Sequence, residues 1–158
     1  MRFQPMTKKE FIGYLDHAID DYASEKVLSG TFEVDTAQYL AEKEYNELLP
    51  EGNITPNHHL LNILTDEGKK VGEFWYHFDP ENQKKIAYVY DISIFPEHQD
   101  QGYGSCAMLL FEEEAKKLGA KRLDLHVFGH NKVAWHLYHN MGYIVTDINM
   151  SKNLEKAE

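Results

Sequence analysis

Between an apolar run, Ile86 to Phe95, and a helical stretch, Gly104 to Leu118, the chain reads Gln99-Asp100-Gln101-Gly102-Tyr103-Gly104-Ser105. This turn constrains the fold more than any other segment. Its glycines let backbone come close to a ligand, and the helix that follows aims free amides and its positive dipole end out of the turn. The run before it has the pattern of a strand buried on both faces, so helices are expected on both sides of a sheet.

The flanking sequence supplies those helices and strands. Thr7 followed by Glu10 is a capping box, with Phe11, Leu15, Ala18, Ile19, Tyr22 and Val27 at helical spacing behind it and Gly30 as the stop. A second amphipathic helix is expected at about 36–49, closed by Pro50, and residues 50–57 have loop chemistry. Strands are predicted at 59–64, 71–78 and 86–95, with turns at Thr65–Gly68 and Asp79–Asn82. After the glycine turn come a helix stopped by Gly119, a strand over Arg122–Phe128, a helix over Asn131–Asn140 and a final strand over Tyr143–Met150. The expected fold class is α/β (α+β), a single domain with a mixed, mostly antiparallel sheet flanked by helices.

Composition narrows the partners. The chain has 158 residues with 26 Asp and Glu against 16 Lys and Arg, a net charge of −10, and 42% hydrophobic residues. That suffices for one core, and a surface this acidic repels phosphate backbones and anionic lipid, so neither nucleic acid nor a membrane is expected as partner. A single cysteine, Cys106, rules out an internal disulfide and a paired-cysteine zinc site; it is expected to be a small core residue. The start lacks the apolar segment of a signal peptide, which makes the expected location cytoplasmic. Residues 1–80 hold 15 acids and 7 bases, residues 81–158 hold 11 and 9, so most of the negative charge lies in the first half.

Three readings compete for the glycine turn. A Walker loop needs Lys and then Ser or Thr after its last glycine, and Ser105-Cys106 does not provide it. Gly102-Tyr103-Gly104-Ser105-Cys106-Ala107 fits the dinucleotide pattern G-x-G-x-x-A, with Asp124 at about the right distance for a ribose. However, six residues separate Phe95 from Gly102, and Asp124 lies inside a strand. A bare glycine turn without a ligand is the plain alternative. Nine histidines invite a metal reading, but neither His136 and His139 nor His126 and His130 have a third ligand at sensible spacing, so no metal is assigned.

The third reading is a coenzyme A pyrophosphate site. Gln99, Gly102 and Gly104, preceded by Pro96-Glu97-His98, resemble the loop of the GNAT superfamily of N-acetyltransferases, in which Gln or Arg opens Gln/Arg-x-x-Gly-x-Gly/Ala. Asn131, Ala134, Leu137, Tyr138, Gly142 and Tyr143 resemble a second block of that superfamily, N-x-x-A-x-x-L-Y-x-x-x-G-F. The resemblance covers about 59–150. The start, with Tyr22-Ala23-x-Glu25-Lys26-Val27 and Leu48-Leu49-Pro50-x-Gly52, is similar to a bacterial subgroup of uncharacterised members. Gln99 departs from the common arginine and brings no positive charge. The division implied is one N-acetyltransferase domain over 1–158, with acceptor-side helices and loop in 1–58 and a coenzyme-binding core in 59–150.

The resemblance implies acetyl-CoA as cosubstrate and a small-molecule or peptide amine as acceptor, with homodimerisation as a family habit. It implies that the amides of Gln101, Gly102, Tyr103, Gly104 and Ser105 hold pyrophosphate, that the backbone of Ile92 to Ile94 holds the pantetheine arm, and that Asn131 and Ala134 line it. The amide near Ile94 would meet the oxyanion. Asn131 is equally well placed as a helix N-cap. Tyr138 stands where the family places the acid for the departing thiolate; a phenol near about 10 and a thiol near about 8.5 make that transfer reasonable. For the base, His126 is the first choice, because an imidazole near about 6.5 suits the task, with Glu73 and Asp91 as second choices. A coenzyme A-binding sensor without catalysis is the alternative function, and retention of Asn131 and Tyr138 speaks against it. The acidic first half favours a cationic acceptor.

Overall fold

The computed structural model describes residues 1–155. Its elements are β1 (Arg2–Pro5), α1 (Lys8–Leu28), α2 (Ala37–Leu48), β2 (His58–Leu64), β3 (Lys70–Phe78), β4 (Ile86–Ile94), α3 (Tyr103–Leu118), β5 (Arg122–Leu125) and α4 (Lys132–Asn140). Local chemistry sets the helix ends. Thr7 Oγ1 accepts from the Glu10 amide at 3.1 Å while Glu10 Oε1 accepts from the Thr7 amide at 3.0 Å, the reciprocal capping box that starts α1. Gly119 closes α3 at φ 101°, a left-handed conformation that glycine reaches without strain.

The strands form one sheet in the order β1-β2-β3-β4-β5, antiparallel except for the parallel β4–β5 pair. Alternation along the strands divides the core between two faces. Leu61, Ile63, Phe74, Tyr76, Phe78, Ala87 and Val89 pack against Ala107, Met108, Phe111 and Ala115 of α3 and Tyr138 of α4. Leu60 and Trp75 pack on the other face against Phe11, Tyr14 and Ala18 of α1 and Tyr45 of α2.

Several expectations need correction. β1 was not expected: it is four residues long and contains a proline, which only an edge strand tolerates, and it gains its regularity by pairing with Leu61–Leu64. The first 58 residues therefore contribute a strand to the sheet as well as α1 and α2. β5 stops at Leu125 rather than Phe128, and residues 143–150 form no strand. Alternation is a pattern, and a strand also needs a neighbour to bond. Cys106 is exposed, since the buried stripe of α3 runs through Ala107, Met108, Phe111 and Ala115 and leaves position 106 outside.

Two irregularities shape the far end of β4. Trp75 pairs with Asp91 and Tyr76 with Val89, so Tyr90 is the extra residue of a bulge, and Tyr90 and Asp91 both face α1 and α2. Gly72 lies opposite Ile94, where a Cβ would come within 2.3 Å of the Ser93 carbonyl oxygen. Gly72→Ala is expected to push β4 off β3, destabilising the protein by about 3 kcal/mol. Calorimetry should record a fall in Tm of about 9 °C.

Candidate active site

The β4–β5 ladder ends at Val89↔Leu125, while β3 continues to hold β4 as far as Ile94. The amide of Phe95 donates to Val71 on the β3 side at 2.9 Å. Backbone groups alternate along a strand, so Ile94 and Ile92 turn theirs to the edge that β5 has left. Gln99 Nε2 donates to the Ile94 carbonyl from that side at 3.0 Å. Gln99 thus ties the glycine turn to the end of β4.

The turn leads into α3 with Asp100 at φ 61° and Gly102 at φ 82°. No side chain caps the helix, and the Cys106 amide is bonded to the Gly102 carbonyl at 3.1 Å. The amides of the first turn of α3 lie before that bond and find no acceptor within the helix. A Cβ at Gly102 would have nothing within 4 Å, so the cradle beside these amides is open.

A cleft of about 540 Å³ lies between α1, α2 and the diverging ends of β4 and β5. Among the predicted site residues, Asp91, Ile92, His126, Asn131, Ala134 and Tyr138 line it. Ile94 and residues 99–105 continue from its end along β4 and the turn. Glu73 is outside the lining: it is buried, and its carboxylate accepts from His17 Nε2 at 2.7 Å and from Lys70 Nζ at 3.1 Å.

Asp91 stands partly open on the cleft floor, and Tyr14 donates to its Oδ2 at 2.6 Å. Burial of the carboxyl raises its pKa from 3.8 to about 6, with Glu73 adding to the rise and the Tyr14 bond and His17 opposing it. His126 stands exposed at the opening, its imidazole held below the ordinary value by partial desolvation and then by Lys26. Tyr138 is buried, and its phenol is pushed up to about 12 by burial and by Asp91. Asn131 caps α4 by accepting from the Ala134 amide at 3.2 Å, which leaves its amide nitrogen to donate elsewhere.

The opposite wall went unread in the sequence. Tyr90 stacks on Trp75 at 4.6 Å between centroids, and Tyr45 lies 5.4 Å from Trp75. Asp21, Glu25 and Glu44 face the same space, where Tyr22 donates to Glu44 and His130 bonds Glu25. With Asp91 the lining holds four carboxylates against Lys26. The available signal was His17, Asp21 and Glu25 at steps of four along α1, a polar stripe beside the apolar one. A shallower depression on α2, between Tyr39 and Glu47, touches no strand. Among the described residues there is no group of three or more potential ligands that could hold a metal, and no helix long and apolar enough to cross a membrane.

An open strand edge and a buried tyrosine share this cleft, and an uncapped helix start lies beyond its end. Residues 16–143 match the Acetyltransferase (GNAT) family, and the chain belongs to that family of enzymes. It is 38% identical over 150 residues to the uncharacterised N-acetyltransferase YycN of Bacillus subtilis (strain 168), covering 95% of this chain and 96% of YycN. It is 34% identical to YdgE of the same organism over 151 residues, 96% of each chain. The crystal structure of YycN superimposes with a TM-score of 0.94 at 37% identity, covering 98% of this chain and 99% of that one.

The raised carboxyl of Asp91 has a measurable consequence. The fold holds a proton there that the unfolded chain releases, so this contribution to stability is full below pH 3.8 and lost as pH rises through about 6. Asp91→Asn is expected to gain stability relative to the parent between those values, read by denaturant melts at pH 4 and pH 7. Tyr14→Phe removes a bond to the charged form, and carbon NMR should show the Asp91 midpoint moving upward from about 6.

Proposed function

We propose that the protein transfers the acetyl group of acetyl-coenzyme A directly to a primary amine of a small cationic molecule or a peptide. One observation carries this reading: the open β4 edge and a wall of carboxylates and aromatic rings share a single cleft. A strand edge with outward amides fits the extended, amide-bearing arm of coenzyme A. Carboxylates interleaved with ring faces fit an ammonium group.

Ile92 and Ile94 would align the arm through their backbone, and Asn131 would donate to it from α4. The amides of Gln101 to Ser105 would take the pyrophosphate, with Gln99 keeping the turn in place. Ala134 leaves room beside the arm. Bound acetyl-CoA supplies an activated thioester carbon.

An alkylammonium acceptor has a pKa of about 10.4 and must lose a proton before its nitrogen can attack. Asp91 takes that proton. It is preferred to His126 because Tyr14 orients its carboxyl, whereas His126 stands exposed at the opening. The nitrogen bonds to the acetyl carbon, the carbon–sulfur bond breaks, and Tyr138 donates its proton to the departing thiolate, to be reprotonated by the second proton that the nitrogen sheds as it becomes the neutral amide. Its pKa of about 12 does not oppose this transfer as strongly as in water, since the same apolar surroundings raise a thiol too.

Tyr138→Phe is expected to bind coenzyme A as tightly as the parent by calorimetry and to lose about 100-fold in kcat. Asp91→Asn should lower kcat/KM by a similar factor and remove its acidic limb near pH 6, while His126→Gln costs only a few-fold. If His126→Gln removes that limb and Asp91→Asn does not, the roles are reversed. Mass spectrometry of polyamines, aminoglycosides, amino acids and peptides incubated with acetyl-CoA should show 42 Da additions, about the mass of one acetyl replacing hydrogen, on cationic members. Reaction with anionic or neutral acceptors alone would overturn the cationic assignment.

A further inference from the structure

Glu73 is only 2% exposed, on the face of the sheet that receives α1. A carboxylate in such a place is costly unless charged donors reach it. Lys70 Nζ meets its Oε1 at 3.1 Å and His17 Nε2 meets its Oε2 at 2.7 Å. Of these three residues only His17 lines the cleft, with 46% of its side chain in water. It therefore joins a buried charge to the space where the acceptor would bind.

The partners of the imidazole count its hydrogens. Nδ1 lies 3.2 Å from the Gly13 carbonyl oxygen, which can only accept, so this nitrogen carries a hydrogen. A lone pair on Nε2 would be repelled by a carboxylate oxygen at 2.7 Å, so a second hydrogen lies between the ring and Glu73. Whether that hydrogen sits on nitrogen or on oxygen, the His17–Glu73 pair has no net charge.

This neutrality bears on Asp91. Glu73 stands opposite Ser93, and Trp75 opposite Asp91, so Glu73 and Asp91 are diagonal neighbours on one face, roughly 7–8 Å apart. Tyr14 and His17, one turn apart on α1 with rings 5.6 Å apart and edge-on, hold one carboxyl each. The other titratable groups facing Asp91 are Asp21 on α1, Tyr45 on α2 and Tyr138 on α4. Burial pushes the three phenols far above neutral pH, where they carry no charge, and Asp21 is exposed to water that screens it. The His17–Glu73 pair is left as the strongest neighbouring influence on the Asp91 charge.

We propose that His17 is a positioning residue for the reaction: by sharing a proton with Glu73 it keeps that pair neutral, and Asp91 is thereby free to ionise and serve as base near neutral pH. Without the imidazole, Glu73 would be a bare negative neighbour, and like charges on one face disfavour a second ionisation. The bearing on catalysis rests on Asp91 being the base, whereas the hold of the pair on Asp91 does not.

The test uses the full chain and carbon NMR of the Asp91 carboxyl, with no acceptor present. His17→Gln keeps a donor to Glu73 but leaves the pair with a negative charge, and the Asp91 midpoint should rise by about one pH unit. The double variant H17Q/E73Q makes the pair neutral again and should bring the midpoint back to the parent value or below it. E73Q alone cannot make the pair negative and should not raise the midpoint. In kinetics, kcat/KM of H17Q should fall about 5-fold relative to the parent at pH 6 and progressively less as pH rises, and the second substitution should recover that loss. A contact that only docks α1 would lower Tm in all three variants and leave the midpoint where it was. An unmoved midpoint in H17Q, one that stays raised in H17Q/E73Q, or one that rises in E73Q would overturn the proposal. A midpoint that moves as expected while the pH profile stays fixed would uphold the hold of the pair on Asp91 and overturn Asp91 as the base.

Discussion

The parallel pairing of β4 with β5 stops at Val89↔Leu125, and the cleft exists because it stops there. Had the ladder continued, the outward amides of Ile92 and Ile94 would be consumed and no opening would separate the strands. A free edge is useful only if it is held still. β3 supplies that restraint by bonding β4 to its last residue, and Gly72 permits the close approach because it has no side chain to clash with Ser93. The Tyr90 bulge completes the arrangement by turning two successive residues toward α1 and α2, an aromatic ring and then the Asp91 carboxyl.

A row of polar contacts fixes the wall opposite. Asn62 on β2 donates to Glu10 at 2.9 Å, Glu73 on β3 accepts from His17 at 2.7 Å, and Asp91 on β4 accepts from Tyr14 at 2.6 Å. Three neighbouring strands each offer one polar side chain, and α1 answers from positions 10, 14 and 17, one stripe of a helix. Unpaired polar groups at such a buried face cost far more than apolar ones, so these contacts set the rotation and the sliding position of α1 more sharply than its apolar residues do. Asp21 and Glu25 continue the same stripe past the sheet contacts and into the cleft. The acidity of the wall is therefore positioned by the docking of the helix.

Signals confined to a few adjacent residues were legible in the sequence. The capping box at Thr7, the stop at Gly119 and the N-cap at Asn131 are local, and each is found in the structure. The α/β class and the GNAT family were readable because the glycine turn and the Asn131–Tyr143 block each carry their meaning in sequence spacing. What failed depends on neighbours distant in sequence. β1 is a strand only through β2, residues 143–150 lack a strand partner among the described residues despite their alternation, and Cys106 is exposed because the neighbouring Ala107 stripe takes the core. The polar stripe of α1 was hidden for the same reason: only the facing strands distinguish it from a solvated edge. Glu73 looked available as a base until its two partners were in place.

Charge gives these features a common direction. On the proposed reading, one cleft must accept a polyanionic donor and a cationic acceptor, which ask for opposite fields. The chain separates the two demands along its own length. On that reading the donor end is built from the nearly balanced second half, where neutral backbone amides of the turn that Gln99 ties to β4, rather than cations, would meet the phosphates. The end taken for the acceptor draws three of its four cleft carboxylates, Asp21, Glu25 and Glu44, from α1 and α2 in the first half. Fixed dipoles bind an anion without extending a positive field across the cleft, so they do not cancel the attraction that the carboxylates exert on an ammonium. An arginine at position 99 would strengthen the donor end and weaken that attraction, which gives the glutamine a physical reason on the proposed reading of a cationic acceptor.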